Sequence, residues 1–159
     1  MMNNFDLRTW VEAEILACDR CGATYDNSII DDIFNDNEET KCNRTFCFDG
    51  IIKRISPFLL PAITLLNAAD LIVTTSYVAI FFPLHIDIVI NFRDIYGSRG
   101  NQLKAPPTGF ELVLAPDIEL SKRIAIKGKS DCGILEEIQS SINDLCTWAK
   151  ECCNDGCGV

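Results

Sequence analysis

Histidine is nearly missing from this chain: His85 is the only one in 159 residues. A catalytic metal site built on several imidazoles is therefore excluded. Basic residues are also scarce, 14 against 23 acidic, for a net charge of −9. Non-specific nucleic-acid binding depends on neutralising phosphates. No cluster of Lys and Arg with interleaved aromatics offsets the balance, so nucleic-acid partners are not expected. The opening stretch, MMNNFDLRTWVEAEIL, has no basic region followed by an apolar one, so no signal peptide is expected. Glycine is absent between Gly22 and Gly50. The acidic segment 26–39, DNSIIDDIFNDNEE, therefore lacks the Gly that a calcium loop places among its ligands and reads as a solvated excursion. Internal repeats and low-complexity stretches are lacking too.

What is present is a substantial core. Hydrophobic residues make up 48% of the chain, and its length suits one domain spanning residues 1–159. The longest apolar run is Leu71 to Phe92, LIVTTSYVAIFFPLHIDIVINF. Asn67 and Asp70 on one side, and His85 and Asp87 on the other, break it before it reaches the roughly 20 residues of a spanning helix. Its β-branched and aromatic content predicts strands instead. Leu71 to Phe82 is almost continuously apolar, the pattern of a strand covered on both faces. After Pro83, Leu84, Ile86, Ile88, Ile90 and Phe92 alternate with mostly polar residues, which predicts one buried and one polar face. Pro83 itself marks a turn, a bulge or a strand end.

Around this run the pattern is helical at both ends of the chain. Leu7, Trp10, Val11, Ile15 and Cys18 fall at helical spacing behind Asp6, predicting a helix that stops near Gly22. Residues 49–55 read as a short helix, and Ser56–Pro57 starts another that runs to about Ala69. From Tyr96 to Gly109 the chain is a long loop, suited to binding a partner. Phe110, Leu112 and Leu114 form one strand, Ile124 and Ile126 another, joined by a turn at Pro116–Asp117. Asp131 caps a final helix with a stripe of Ile134, Leu135, Ile138, Ile142, Leu145 and Ala149, fraying near Cys152. The expected class is α+β: N-terminal helices, a largely antiparallel sheet of about four strands, and a long C-terminal helix.

Nine cysteines, an odd count without a secretory signal, favour reduced thiols in an intracellular, cytoplasmic setting. Cys18, Cys21, Cys42 and Cys47 follow the pattern C-x2-C-x20-C-x4-C, with Gly22 directly after the first pair. Two close thiol pairs joined by a loop supply a tetrahedral set of soft ligands, so residues 18–47 form a small cysteine-containing subregion with structural zinc as the expected metal. The alternative is that these cysteines pack in the core, since free Cys is commonly buried. At the other end, Cys152, Cys153 and Cys157 in CCNDGC, with Cys146 before them, read as reactive thiols on a fraying tail.

Two weaker constellations remain. Gly97-Ser98-Arg99 resembles the GSR turn of minimal nucleotidyltransferases. That resemblance spans about 18 residues and implies a following strand with two metal-holding carboxylates at alternate positions. The matching positions here are Gly109 and Glu111, so only Glu111 is acidic, and the next strand, RIAIK, brings no third carboxylate. What the resemblance then implies is a degenerate domain that binds a nucleotide through Ser98, Arg99 and Glu111 without turnover. His85 and Asp87, two apart on a strand's polar face, could form a metal patch or an acid–base pair. A rolling-circle nuclease is excluded because no Tyr follows Tyr96. A PD-x-(D/E)-x-K nuclease is excluded because Ala125 stands where the acid before Lys127 belongs. The residues point to a non-catalytic protein–protein interaction or assembly subunit, with other proteins as partners and homo-oligomerisation open. Membrane partners are not expected. The rival readings are the degenerate nucleotide-binding domain and a zinc-stabilised regulatory or recognition module.

Overall fold

The computed structural model describes residues 4–25, 41–47, 50–94, 105–114 and 118–157. The acidic segment 26–39, most of the loop 96–109 and the turn at Pro116–Asp117 lie outside them. The architecture is α+β. Helix α1 (Asn4–Val11) leads into strands β1 (Ile15–Cys18), β2 (Thr24–Tyr25) and β3 (Ile52–Ile55). Helix α2 (Leu60–Ala68) follows, then β4 (Leu71–Phe81), β5 (His85–Asp94), β6 (Phe110–Val113), β7 (Ile118–Ala125) and helix α3 (Asp131–Cys157). The strands form two antiparallel sheets, one ordered β2-β1-β3 and one ordered β4-β5-β7-β6.

The long apolar run is a hairpin. β4 and β5 pair along their length from Leu71↔Asp94 to Phe81↔His85, and Pro83 sits in the turn between them. β5 keeps the alternation read from its sequence: Ile86, Ile88, Ile90 and Phe92 are all buried. β4 does not match the expected double coverage. It is an edge strand, and Thr74, Thr75, Tyr77 and Phe81 are exposed. Its apolar outward residues reflect β-propensity and cross-strand pairing more than burial.

Helix α3 covers the other face of this sheet. Ile134, Ile138, Ile142, Leu145 and Trp148 share one hydrophobic cluster with Ile86, Ile88, Ile90, Leu120 and Ile124. Each such aliphatic contributes about 1.5–3 kcal/mol on burial. Lys122 Nζ reaches across to donate to Ser141 Oγ on α3 at 2.8 Å. The helix cap differs from expectation: Ser130 Oγ accepts the Gly133 N–H at 3.1 Å, so Ser130 is the cap and Asp131 lies in the first turn. The helix also continues past Cys152 to Cys157.

Two expected helical stretches are strands. α1 ends at Val11, and Ile15–Cys18 pairs with Ile52–Ile55, which takes the place of the short helix expected at 49–55. Of the expected stripe, Leu7 and Val11 point into the core, but Trp10 is exposed and the helical continuation through Ile15 and Cys18 does not hold. Four-residue apolar segments fit either period, and a pairing partner more than 30 residues away decides between them. Where α1 stops, Glu12 Oε2 accepts the Ile80 N–H at 3.0 Å, satisfying a donor on the open edge of β4. No helix among the described residues is long and apolar enough to cross a membrane.

Candidate metal centre

β1 ends at Cys18, and the chain turns at once. Gly22 adopts φ +76°, the left-handed region that glycine enters without strain. The turn closes with Gly22 N–H donating to the Cys18 carbonyl at 3.1 Å and Cys18 N–H to the Ala23 carbonyl at 2.9 Å. Inside it, the main-chain N–H groups of Arg20 and Cys21 point at Cys18 Sγ, at 3.4 and 3.5 Å. Two amide dipoles aimed at one sulfur favour its thiolate form.

The second pair approaches from the other side. Cys42 N–H donates to the Gly50 carbonyl at 2.8 Å, and Cys47 N–H to the Arg44 carbonyl at 3.1 Å. A Cβ on Gly50 would overlap Sγ of both Cys18 and Cys47, so this backbone can pass the sulfurs only as glycine. Asp19, a buried carboxylate, pins the halves together. Its Oδ1 accepts the Ile51 N–H at 2.9 Å, its Oδ2 meets Lys53 Nζ at 3.3 Å, and its own N–H donates to the Ile51 carbonyl at 3.0 Å.

The result is a cluster in which all four Sγ atoms lie within 4.8 Å of one another. Cys18 Sγ is 3.5 Å from Cys47 Sγ, and Cys21 Sγ is 3.7 Å from Cys42 Sγ. All four are free thiols that could hold a metal ion. Tyr25 places its hydroxyl 3.0 Å from Cys42 Sγ and 3.3 Å from Asn43 Oδ1. Burial alone would raise the Cys42 thiol. The hydrogen bonds of Tyr25, the main chain at Arg44, Cys21 and Cys18 outweigh it and bring that thiol down to about 7. Cys47 is pushed up to about 12, first by burial and then by the neighbouring sulfurs. Burial raises Cys18 as well. The Cys42 proton therefore leaves readily, whereas Cys18 and Cys47 hold theirs more tightly than an ordinary thiol until a cation replaces them.

Asn67 ties the cluster to the main core. It is 1% exposed; its Nδ2 donates to the Asp19 carbonyl at 2.7 Å and its Oδ1 accepts the Val73 N–H at 2.8 Å. Sequence reading missed Asn67, Asp19, Tyr25 and Gly50. The only local signal was Gly50, the first glycine after Gly22.

The remaining candidates sit elsewhere. His85, Asp87 and Glu111 occupy the face of the four-stranded sheet opposite α3. His85 Nε2 is 3.6 Å from Asp87 Oδ1, while Arg123 grips the same carboxylate at 3.0 and 3.4 Å. Asp87 and Glu111 line one open crevice of about 550 Å³ with Tyr77, Val89, Glu119 and Arg123. Ser98 and Arg99 lie outside the described residues, as do the side chains of Cys152, Cys153 and Cys157. Among the described residues the four cysteines are the only group of three or more His, Cys, Asp or Glu close enough to share a metal ion. No family model matches the chain, and neither does any curated protein or solved structure.

Proposed function

We propose that this chain is a non-catalytic recognition and assembly subunit whose cysteine module is fastened by a structural zinc ion. The arrangement of Cys18, Cys21, Cys42 and Cys47 carries the reading. A tetrahedral zinc with Zn–S bonds of about 2.3 Å has ligand–ligand edges of about 3.8 Å. The sulfur separations of 3.5 and 3.7 Å are close to that value and far from a disulfide bond of about 2.05 Å. An all-sulfur set suits zinc and disfavours calcium or magnesium. Four thiolates fill the tetrahedron, so such a site has no position for substrate and acts on the fold. Free thiols also suit a reducing, intracellular compartment.

Native mass spectrometry of untagged, reduced protein tests this directly. The expected result is one zinc per chain, lost on chelation with a fall in Tm. Cys18→Ser and Cys42→Ser should each lose the metal and lower Tm. A metal-free chain, or two serine variants as stable as wild type, would remove the site. The rival nucleotide-binding reading draws on the crevice shared by Asp87 and Glu111. Nucleotides with magnesium or manganese should leave Tm unchanged. A stabilisation that disappears in Glu111→Ala would favour that nucleotide-binding rival over the assembly reading.

A further inference from the structure

The four sulfurs of the cluster are not equally placed. Cys21 is exposed, Cys42 and Cys47 are half-buried, and Cys18 is buried. Cys18 Sγ receives the N–H groups of Arg20 and Cys21, and Cys42 Sγ lies 3.0 Å from the Tyr25 hydroxyl. Donors of this kind draw charge from a sulfur and blunt its attack on an oxidant. Among the described residues, no N–H or O–H group is hydrogen-bonded to Cys21 Sγ. Cys21 also lines an open depression of about 480 Å³ with Arg44, Phe46 and Cys47. That depression gives a small oxidant a way to the Cys21 sulfur, and thiol oxidation follows exposure.

An oxidised thiol also needs a second sulfur to resolve it. Cys42 Sγ is 3.7 Å from Cys21 Sγ, and closing to about 2.05 Å makes a disulfide. Cys18 and Cys47 lie 3.5 Å apart, but their sulfurs sit so close to the Gly50 main chain that a Cβ there would overlap both. Cys18 is in addition closed to solvent. A bond between Cys21 and Cys42 joins the turn after β1 to the segment 41–47. It ties the two halves of the module together once a metal has left, as the metal does before.

We propose that the cluster is a peroxide-responsive site at which Cys21 is oxidised, Cys42 resolves it, and zinc is released. The Cys21 thiolate attacks one oxygen of hydrogen peroxide, the O–O bond breaks, and the other oxygen leaves as hydroxide, giving a sulfenic acid. The Cys42 thiolate then attacks that sulfur, the S–O bond breaks, and a second hydroxide leaves. Two electrons have passed from the two sulfurs to the peroxide, and two protons from solvent turn both hydroxides into water. Zinc keeps only the Cys18 and Cys47 thiolates and dissociates. The proposal rests on the zinc reading for the ion that leaves.

Zinc-loaded protein treated with hydrogen peroxide tests it. A chromogenic chelator follows zinc release, and alkylation with peptide mass spectrometry then maps the thiols. The expected result is one zinc released per disulfide, a link between Cys21 and Cys42, and Cys18 and Cys47 recovered as alkylated thiols. A dithiol reductant with added zinc should restore the loaded protein. Cys21→His keeps a ligand for the metal but has no thiol, so zinc release should slow at least about tenfold. Cys132→Ser removes an exposed thiol outside the cluster and should release zinc as fast as wild type. A link between Cys18 and Cys21, or between Cys42 and Cys47, overturns the proposal. So does a wild type that keeps its zinc at peroxide levels that oxidise free cysteine, or a Cys21→His protein that loses zinc at the wild-type rate. The wild-type map decides the pairing even if Cys21→His fails to load. A chain without zinc overturns the metal reading and with it the release step, while the same map still decides which thiols pair.

Discussion

At Gly50 one methyl group separates a closed sulfur cluster from an open one. A Cβ there would overlap Sγ of Cys18 and Cys47, and Cys18 is fully buried and has little room to retreat. Gly50→Ala should therefore weaken zinc retention by tenfold or more in a chelator competition, while a nearby exposed change such as Thr45→Ala should leave it unaltered. Wild-type retention in Gly50→Ala would mean that the sulfurs can rearrange around the methyl group. The four ligands were legible as spacing, because cysteine is rare and its pairing pattern is distinctive. Their supports were not. Asn67 looks like an ordinary helical residue, yet its partners lie 48 and six residues away. Nothing near it in sequence marks it as the buried polar link between the metal module and the core.

At the scale of elements, long periodic segments read correctly and short ones did not. Helix α3 has six apolar positions at helical spacing, and β5 alternates cleanly through Phe92; each pattern is long enough to exclude the other period. Ile15–Cys18 and Ile52–Ile55 have four residues each, and they became strands by pairing with each other. Neither segment carries that information alone. Caps are similarly local and similarly easy to shift by one residue. Ser130, and not Asp131, accepts the Gly133 N–H. Ser130→Ala should cost about 1 kcal/mol in chemical denaturation, the usual effect of losing a side-chain cap. A loss within error of zero would assign the helix start to another group.

For the whole molecule, the metal should set how stability responds to pH. In the metal-free fold, Cys47 is raised from near 9 to about 12. The folded state then keeps a proton that the unfolded chain releases, so this group's contribution is full below about pH 9 and is lost as pH climbs toward 12. Cys42, lowered to about 7, works in reverse and adds stability as pH rises from about 7 toward 9. Zinc changes the balance because it needs thiolates. Binding displaces the protons that Cys18 and Cys47 retain, so affinity should fall by more than tenfold for each pH unit below about 7. Tm measured with and without a chelator between pH 5.5 and 8.5 checks this. The two curves should converge on the acid side, and a gap that does not narrow there would mean that the stabilising ligand is not held by thiolates.

The sequence by itself determined the α+β class, strand character on both sides of Pro83, the long C-terminal helix and the four-cysteine spacing. Each is a local periodicity or a rare residue at a fixed interval, information that survives without neighbours. The tertiary structure alone decided that two short apolar segments pair as strands and that β4 lies at a sheet edge. It also decided that Asn67 joins the sulfur cluster to the core, that Gly50 must lack a side chain, and that Asp87 and Glu111 share one crevice. Those facts depend on groups distant in the chain meeting in space, and hydrogen-bond satisfaction and packing fix them only when the whole fold has formed.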